Sequence, residues 1–329
     1  MRRRNFMALA GSAVAWPLVA RAQAKIARIG MLAINAVDSP AAHENFGLVR
    51  QGLADLGYLE GRDVIFEQRG GDGSSERLAA MAAELASLKV DIIVAFASLA
   101  ARAAQRATTT IPIVVGSIGD PVQDGLVASL SRPGGNITGT TFLGPELVPK
   151  QLALLKELLP AASRVTVIWN PRAFSEATTA GMVKQATEAA KGLGLELRYV
   201  EVPGLDAFER AFAEAANGHP DALFQFPNPI FFGNRKRMVE LAAEYRLPAM
   251  YNTREFVVVG GLIGYGASPL GLIRRTAFFI DRILKGAKPA DLPVKQPTTF
   301  DLAINRTTAK KLGISIPQAL LVAAHEVID

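Results

Sequence analysis

The hydrophobic positions of this chain follow two alternating periods, one typical of strands and one typical of helices. Residues 91–97, DIIVAFA, form an apolar run of the kind that is buried in a parallel sheet. Elsewhere, Phe46, Val49 and Leu53 recur at helical spacing. About eight strand-helix units follow one another from Lys25 onward, which predicts an α/β fold with two successive βα arrays.

The same periodicity predicts where the strands lie. They are expected at 26–34, 63–68, 91–97 and 113–115 in the first array, and at 164–169, 196–202, 222–226, 249–251, 261–265 and 300–304 in the second. Between the arrays, residues 112–142 are predicted to form a strand, a glycine-rich turn with Asp120, a short helix, a tight loop and a further strand. Turns at strand ends are where open α/β sheets bind ligands, so we expect this segment to form part of a cleft between two lobes.

Length and charge narrow the class of protein. The chain has 329 residues, half of them apolar, which is enough for two hydrophobic cores. The formal charge is +6, but Arg2, Arg3, Arg4 and Arg21 lie in a 22-residue stretch without acids. Without these four, 32 basic residues face 30 acidic ones, a balance of +2. The other basic residues are scattered rather than interleaved with aromatics, so we expect no nucleic-acid partner.

The sequence lacks the usual motifs for catalysis and cofactor binding. It has no cysteine and three dispersed histidines, which excludes disulfides and cysteine-ligated zinc and disfavours a Ser-His-Asp site. There is no G-x-x-x-x-G-K-[ST] loop and no G-x-S-x-G elbow, and GSIGD at 116–120 does not continue as G-x-G-x-x-G. We therefore predict a protein that is not an enzyme, without catalytic residues, metal or cofactor. An exported two-lobed enzyme of the nucleotide-sugar type stays open as an alternative.

The first 22 residues predict an export signal. They combine arginines at the start, an apolar middle and an A-x-A cleavage pattern at 20–22. RRNFM at 3–7 resembles the twin-arginine signature, but Arg2 stands where that pattern usually has serine or threonine, so the Sec route also stays open. A membrane anchor is the alternative, although 8–20 is shorter than the roughly 20 residues that span a bilayer. We predict cleavage after about Ala22 and a location in the periplasm.

The carboxyl ends of parallel strands meet at one edge of a sheet, where helix N-termini point their backbone N–H groups. Short polar or aromatic side chains occupy these positions in both predicted arrays. We therefore predict a ligand-binding site formed by Asn35, Ser98, Ser117, Asp120, Thr140, Thr141, Asn170, Phe226, Asn228, Tyr251 and Tyr265. Asn252 follows Tyr251 at the same strand end. Asp120, the acid among these residues, would suit a ligand ammonium group.

Each of these residues also has a structural interpretation. Ser98, Asp120 and Asn170 stand where helix caps are common. The three aromatic residues could stack on a flat ligand or simply pack in the wall of a lobe. The RPGGN loop at 132–136 fits an anion-binding nest or a tight surface turn. The agreement of many strand ends, rather than any single residue, favours a binding site.

Several motifs resemble those of a known family, the ABC-transporter substrate-binding proteins of the tryptophan/tyrosine-binding type. The most specific is GLVASLSRPGGNITG at 125–139. Others are LGYLEG at 56–61, IPIV at 111–114, DPV at 120–122, GYG at 264–266, RILKG at 282–286 and LGISIP at 312–317. Together with the leader, these motifs extend the resemblance over essentially the whole chain.

The resemblance implies a type I periplasmic-binding-protein architecture, with two Rossmann-like lobes of parallel sheet and a ligand cleft between them. By this likeness, lobe 1 comprises 25–140 plus about 256–290, and lobe 2 comprises 141–255 plus about 291–329. The implied function is that of a monomeric solute-binding protein, which closes on a small molecule and delivers it to an ABC permease in the inner membrane. A periplasmic subunit that senses its ligand for a membrane receptor stays open as an alternative.

The resemblance leaves the ligand open, and the class that we predict is an amino acid or an aromatic or amphipathic organic compound. For an amino acid, we expect the carboxylate on the N–H groups at Ser98 or at 140–141 and the ammonium on Asp120. The ligand side chain would then lie against Tyr251, Phe226 or Tyr265.

Overall fold

The computed structural model of the protein describes residues 26–142 and 144–329, so the leader predicted at 1–22 lies outside the described residues. Two β-sheets, of five and seven strands, organise the described chain. Helices connect most successive strands in both halves. The α/β class and the two successive arrays predicted from the sequence are confirmed.

The first sheet is parallel throughout. Its strands are β1 (Ala27–Ala33), β2 (Val64–Gly70), β3 (Ile92–Phe96), β4 (Ile113–Ile118) and β5 (Ile137–Thr141). They lie in the order β2-β1-β3-β4-β5. Every residue of the central strand β3 is buried, as expected for a strand that helices cover on both faces.

The second sheet is parallel except for one antiparallel pair. Its strands are β6 (Arg164–Trp169), β7 (Glu196–Glu201), β8 (Ala222–Gln225), β9 (Ala249–Tyr251), β10 (Ile263–Gly266), β11 (Asp301–Asn305) and β12 (Glu326–Ile328). The order is β12-β11-β10-β9-β8-β6-β7, and β10 and β11 run antiparallel. The C-terminal strand β12 is short, and the sequence pattern did not predict it.

The helices follow the predicted rhythm, with caps that the sequence supplies. They are α1 (Pro40–Asp55), α2 (Ser75–Ser87), α3 (Ala97–Ala107), α4 (Gly144–Leu158), α5 (Glu176–Leu193), α6 (Phe208–Asn217), α7 (Pro229–Gly233), α8 (Arg235–Glu244), α9 (Arg254–Val258), α10 (Pro269–Arg274), α11 (Thr276–Leu284), α12 (Arg306–Leu312) and α13 (Gln318–Ala323). Ser39, Ser74 and Ser175 each accept a backbone N–H bond at a helix start. None of the helices in the described ranges is both long and apolar enough to cross a membrane.

The prediction of a short helix between β4 and β5 is wrong. Residues 121–136 form turns instead, in which the N–H groups of Leu126 and Val127 both donate to the carbonyl of Pro121. Gly125 and Gly134 have φ angles of +65° and +77°, which belong to turns and interrupt a right-handed helix. The four-residue spacing of apolar positions in this segment therefore does not reflect a helix.

Apolar side chains alternate between the two faces of each sheet and give each face its own core. On the first sheet, Ile29 and Met31 pack on one face and Leu32 packs on the other. On the second sheet, Val167 and Ile168 divide between its two faces in the same way. The layered arrangement places the carboxyl ends of the parallel strands at one edge of each sheet.

The chain crosses between the sheets three times, after β5, after β10 and before β11. The second crossing returns α10 and α11 to the first sheet, where Ile273 and Phe279 join the core around β1. Beyond them, Thr138 in β5 donates to the carbonyl of Leu292 (2.7 Å), and Lys295 pairs with the backbone of β5. Below, "first lobe" means the first sheet with α1–α3, α10, α11 and the segment to Lys295, and "second lobe" means the rest.

These crossings differ from the borders that the resemblance implied. The proposed return segment, about 256–290, begins before β10, yet β10 pairs with β9 and β11 in the second sheet. The observed return begins after β10 and ends at Lys295, whose N–H donates to the carbonyl of Gly139 at 2.8 Å. A short apolar strand looks the same in either sheet, so the sequence pattern alone does not assign it.

The contact between α11 and the loop after α1 predicts a pH dependence. The Tyr58 hydroxyl donates to Asp281 Oδ1 at 2.9 Å. Burial and the neighbouring Asp281 carboxylate raise the pKa of Tyr58 from 10.0 to about 12. Because the folded state holds the proton more tightly, this contribution to stability is complete below pH ~10 and is lost as the pH rises through about 12.

We therefore expect Tyr58→Phe to be less stable than wild type at pH 8, with the difference shrinking between pH 10 and pH 12. Urea unfolding at several pH values measures this difference in the free energy of unfolding. Tyr245→Phe is the control, because Tyr245 is exposed. A difference that does not change with pH would contradict the assignment.

Candidate functional site

A cavity lies where the carboxyl ends of both sheets face each other. Its walls contain residues at or just after the carboxyl ends of β1, β3 and β4 in the first lobe, and residues that follow β8, β9 and β10 in the second. It holds about 960 Å³ of space that protein atoms do not fill, counted to its open mouth. Such a position is the expected ligand site of an open α/β sheet, and both lobes contribute to it.

The first-lobe wall contains two strained residues. Ala97 and Ser117 have φ angles of +68° and +56°, which non-glycine residues seldom adopt. Ala97 directly follows β3. Ser117 is the last residue but one of the neighbouring strand β4 and lies in a register shift between β4 and β5. The Ser117 N–H donates to Thr140 Oγ1 at 3.1 Å. Backbone strain of this kind concentrates at ligand-binding sites.

Helix α3 begins directly at this wall. Ala97 is its first residue, and none of the described side chains caps its N-terminus. Its first backbone N–H groups and the positive end of its dipole therefore lie at the edge of the cavity. This arrangement suits a carboxylate.

The second-lobe wall contains buried polar atoms without partners. Within the described residues, no hydrogen bond reaches Gln151 Oε1, Asn228 Nδ2, Asn252 Oδ1 or Thr253 Oγ1, and all four residues line the cavity. Gln151, Asn228 and Thr253 are at most 4% exposed. Buried polar atoms are normally bonded, so a group that enters the cavity is the expected partner.

The rest of the lining is largely apolar. Phe96, Phe142, Phe174 and Phe232 are among the lining residues. Phe142 and Phe174 are in contact, with 5.5 Å between their centroids. The cavity therefore combines an aromatic wall with a few polar positions, which is typical of sites for small organic molecules.

Glu44 is the one charged side chain among the described residues that line the cavity. It does not stand free, because both of its carboxylate oxygens accept from Arg235, at 2.9 and 3.2 Å. The Arg235 guanidinium also lies over the Phe232 ring, 4.8 Å from its centroid. Since Glu44 belongs to the first lobe and Arg235 to the second, this ion pair joins the lobes at the rim.

A second contact joins the lobes elsewhere. Asp124, in the loop after β4, accepts hydrogen bonds from Ser175 Oγ and from Thr178 Oγ1, the latter at 2.8 Å. Ser175 and Thr178 lie at the start of α5 in the second lobe. Asp124 is 4% exposed, so this contact is buried, whereas the pair at the rim is partly open to solvent.

The structure divides the predicted site residues into two groups. Asn35, Ser117 and Asn228 line the cavity. The remaining eight do not, and the structure gives them other partners. These eight are Ser98, Asp120, Thr140, Thr141, Asn170, Phe226, Tyr251 and Tyr265.

The polar members of this second group bond to the backbone. Ser98 Oγ accepts from the Gly119 N–H at 3.2 Å, and Thr141 Oγ1 donates to the carbonyl of Gly119. Asp120 Oδ1 accepts from the N–H groups of residues 122 and 123, both at 3.0 Å, which closes a turn. Asn170 Oδ1 likewise accepts from the N–H of Arg172, at 2.9 Å. Their contact with a ligand stays a prediction.

The aromatic members pack within the second lobe. Phe226 lies against Trp169, Tyr199 and Phe224. Tyr251 stacks on Phe256, with 4.8 Å between centroids, and its complete burial raises its pKa. The Tyr265 ring faces Phe300, while its carbonyl accepts from Gln151 Nε2 at 2.7 Å. Packing in the lobe, the alternative weighed for these rings, is what the contacts show.

Sequence reasoning missed Gln151, Thr253 and Glu44. Gln151 lies inside α4 and Glu44 inside α1, away from any strand end. A helical glutamine among leucines, two residues after Pro149, is a weak signal by which Gln151 could have been predicted. Metal binding has no support in the described ranges, where no three His, Asp or Glu side chains cluster.

Comparisons with known proteins agree on one family. A family model described as "ABC transporter substrate binding protein" matches residues 29–328. A tyrosine-binding protein from Clostridioides difficile (strain R20291) is 27% identical over 263 residues, which cover 80% of this chain and 74% of the relative.

Two solved structures are similar along most of the chain. The structure of a conserved domain protein from Vibrio cholerae has a TM-score of 0.83 and 28% identity, and the match covers 92% of this chain and all of that one. An ABC domain from Streptococcus pneumoniae in complex with L-Trp has a TM-score of 0.79 and 27% identity, covering 91% of this chain and all of the other.

Proposed function

The chain belongs to the ABC transporter substrate-binding protein family, and on this basis we propose that it is the exported binding subunit of an importer. Its cargo is an amino acid or another aromatic or amphipathic organic molecule, which it encloses between its lobes and delivers to a permease. Members of the family are binding proteins rather than enzymes and work outside the cytoplasm. The fold is the type I periplasmic-binding-protein architecture.

The cavity between the lobes is the observation that carries this function. Both lobes line it, and its second-lobe wall holds buried polar atoms that have no partner among the described residues. An enzyme would need convergent acid and base groups, but the lining described here offers a single carboxylate, Glu44, already bonded to Arg235. Enclosure without reactive groups favours capture of a ligand over its conversion.

Two relatives support an aromatic amino acid as the cargo. One is a tyrosine-binding protein, and the other was solved with L-Trp. Four phenylalanine rings in the lining would contact an aromatic side chain. The same lining would accept other flat, partly apolar molecules, so the proposed cargo class is wider than these two amino acids.

The proposed binding mode combines predicted and newly identified residues. The ligand carboxylate binds the free N–H groups at the start of α3, next to Ala97 and Ser117. Asn35 and Asn228 add hydrogen bonds from opposite lobes. Asp120 stays the predicted ammonium partner from the sequence, although its position in a turn outside the lining favours groups of the second-lobe wall for that role.

The predicted leader supplies the rest of the proposed pathway. Export through the twin-arginine or Sec route and cleavage after about Ala22 would release a monomeric protein into the periplasm. A permease in the inner membrane would then receive the ligand. A sensing subunit that reports to a membrane receptor has the same binding chemistry and remains the second candidate, which uptake measurements with the permease distinguish.

Thermal unfolding of purified 23–329 tests the function. Bound ligand is first removed by unfolding and refolding, and the protein is then titrated with amino acids, aromatic acids and sugars. We expect a saturable stabilisation by an aromatic amino acid, about 2.7 kcal/mol at a hundredfold excess over Kd. Mass spectrometry of the recovered ligand is the control. A chemically altered ligand would favour the enzyme alternative, and no stabilisation by any compound would contradict the proposed cargo class.

A further inference from the structure

Four polar atoms that line the cavity from the second lobe, and that have no partner among the described residues, lie along one edge of its sheet. Asn228 follows β8, and Asn252 and Thr253 follow the neighbouring strand β9. Gln151 belongs to α4 but is anchored on the Tyr265 carbonyl in β10, the next strand. Strand order therefore brings these residues together as a polar row that spans three adjacent strand ends, with every member facing the cavity.

Two members of the polar row have a fixed hydrogen-bonding sense. Asn228 Oδ1 accepts from the Ile230 N–H at 2.7 Å as the cap of α7, so Nδ2 is the side that faces the ligand and it can only donate. Gln151 Nε2 donates to the Tyr265 carbonyl at 2.7 Å, so Oε1 is left and can only accept. The row thus offers one donor and one acceptor whose roles cannot be exchanged.

The charges around the polar row limit what it can bind. No Lys or Arg lines the cavity in the described chain, and Glu44 is already bonded to Arg235. A ligand with a net negative charge would lose its water without a counter-ion, which is strongly unfavourable. A group that both donates and accepts, without net charge, satisfies the row instead.

We propose that the polar row is the specificity-determining part of the site, and that it selects ligands without net charge that carry an N–H donor next to an acceptor oxygen. Gln151 Oε1 accepts from the amine, and Asn228 Nδ2 donates to the carboxylate or carbonyl. Zwitterionic amino acids and small amides have this pattern, whereas dicarboxylates and phosphate esters do not. This inference rests on the proposed function and assigns the ligand class and the residues that read it.

Asn228→Asp tests the donor. Aspartate caps a helix as well as asparagine does, so α7 is retained, but the donor becomes a charged acceptor. The matched control is Asn305→Asp, since Asn305 is similarly buried, caps α12 by accepting from Thr308 (2.8 Å), and lies outside the cavity. We expect both variants to unfold near the wild-type temperature. The Asn228→Asp variant should bind L-tryptophan at least about tenfold more weakly than wild type does. The affinity of Asn305→Asp for L-tryptophan should equal that of wild type.

Two analogues of L-tryptophan show which ligand group Asn228 and Gln151 each bind. Tryptamine lacks the carboxylate, so Asn228→Asp should not weaken its binding. Indole-3-propionate lacks the amine, so Gln151→Met should weaken its binding less than that of L-tryptophan. Wild type should bind both analogues more weakly than L-tryptophan.

The possible outcomes separate the two levels of inference. If wild type binds L-tryptophan and Asn228→Asp binds it equally well, the role of the polar row is overturned while the proposed function stands. The role of the polar row would also be overturned if wild type bound indole-3-propionate more tightly than L-tryptophan. If wild type binds no amino acid, the inference is overturned; if it binds no other aromatic or amphipathic compound either, the proposed cargo class fails as well.

Discussion

A Gly233→Val variant is expected to fold normally and to bind its ligand at least about tenfold more weakly than wild type. Gly233 ends α7 in the second lobe, at the cavity lining. A Cβ atom added there would lie 2.9 Å from Ala41 Cβ and 3.7 Å from Asn35 Nδ2, both in the first lobe. Since real Cβ contacts are not this short, the lobes must move apart to accept the larger side chain.

We expect this loss of affinity because the variant closes less readily, not because it loses contacts with the ligand. When a binding-competent state is populated only in part, the apparent Kd rises in inverse proportion to its population. Valine at 233 excludes the arrangement in which Glu44 meets Arg235, but it does not disturb either core. Isothermal titration measures the affinity, and small-angle X-ray scattering measures whether the liganded variant is more extended than liganded wild type.

Gly192→Val is the matched control. Gly192 lies near the end of α5, where an added Cβ would meet nothing within 4 Å. Gly192→Val therefore measures the effect of a helical valine on stability and affinity at a position where the valine does not contact the other lobe. Equal affinities of the two variants for the ligand would show that α7 and α1 do not meet during binding.

Gly139→Ala is expected to lower the free energy of unfolding by roughly 3 kcal/mol or more. Gly139 is in β5 with a φ of +141°, a conformation that is essentially restricted to glycine. A Cβ atom there would lie 2.1 Å from the carbonyl oxygen and 2.6 Å from the nitrogen of Val115. These are backbone atoms of β4, so relief requires that β5, at the edge of the sheet, separates from β4.

Urea denaturation followed by circular dichroism measures this loss. Gly135→Ala is the control, because that glycine is in the turn before β5 and an added Cβ would meet nothing within 4 Å. We expect it to change the free energy of unfolding by no more than about 0.5 kcal/mol. Near-equal stabilities of the two variants would mean that β4 and β5 can separate at little cost.

The fold was largely predictable because its elements carry their own local signals. The uniformly apolar run of β3 and the helical spacing in α1 both depend on residues that are close in sequence. The same local signals failed between β4 and β5, where glycines at positive φ override an apolar spacing that resembles a helix. Local pattern is a poor guide wherever the backbone conformation itself departs from the regular regions.

The site was only partly predictable, because cavities depend on contacts between distant segments. Asn35 and Asn228 come shortly after β1 and β8, and Ser117 lies near the end of β4. All three line the cavity as the strand-end rule expects. Ser98 and Tyr251 also stand near strand ends, yet their side chains turn toward the backbone and a core. Gln151 reaches the site from a helix, and only the position of β10 explains it.

The return of α10 and α11 to the first lobe has a consequence for the order in which the protein is made. Thr138 and its partner Leu292 are separated by 154 positions. At ribosomal rates of about 5–20 residues per second, roughly 8–30 s pass between the synthesis of these two residues. During that time the nascent first lobe lacks Ile273 and Phe279 and exposes the apolar face they will cover. The lobe that begins the chain is therefore completed after most of the second lobe has been synthesised, and until then it is the natural target for a chaperone.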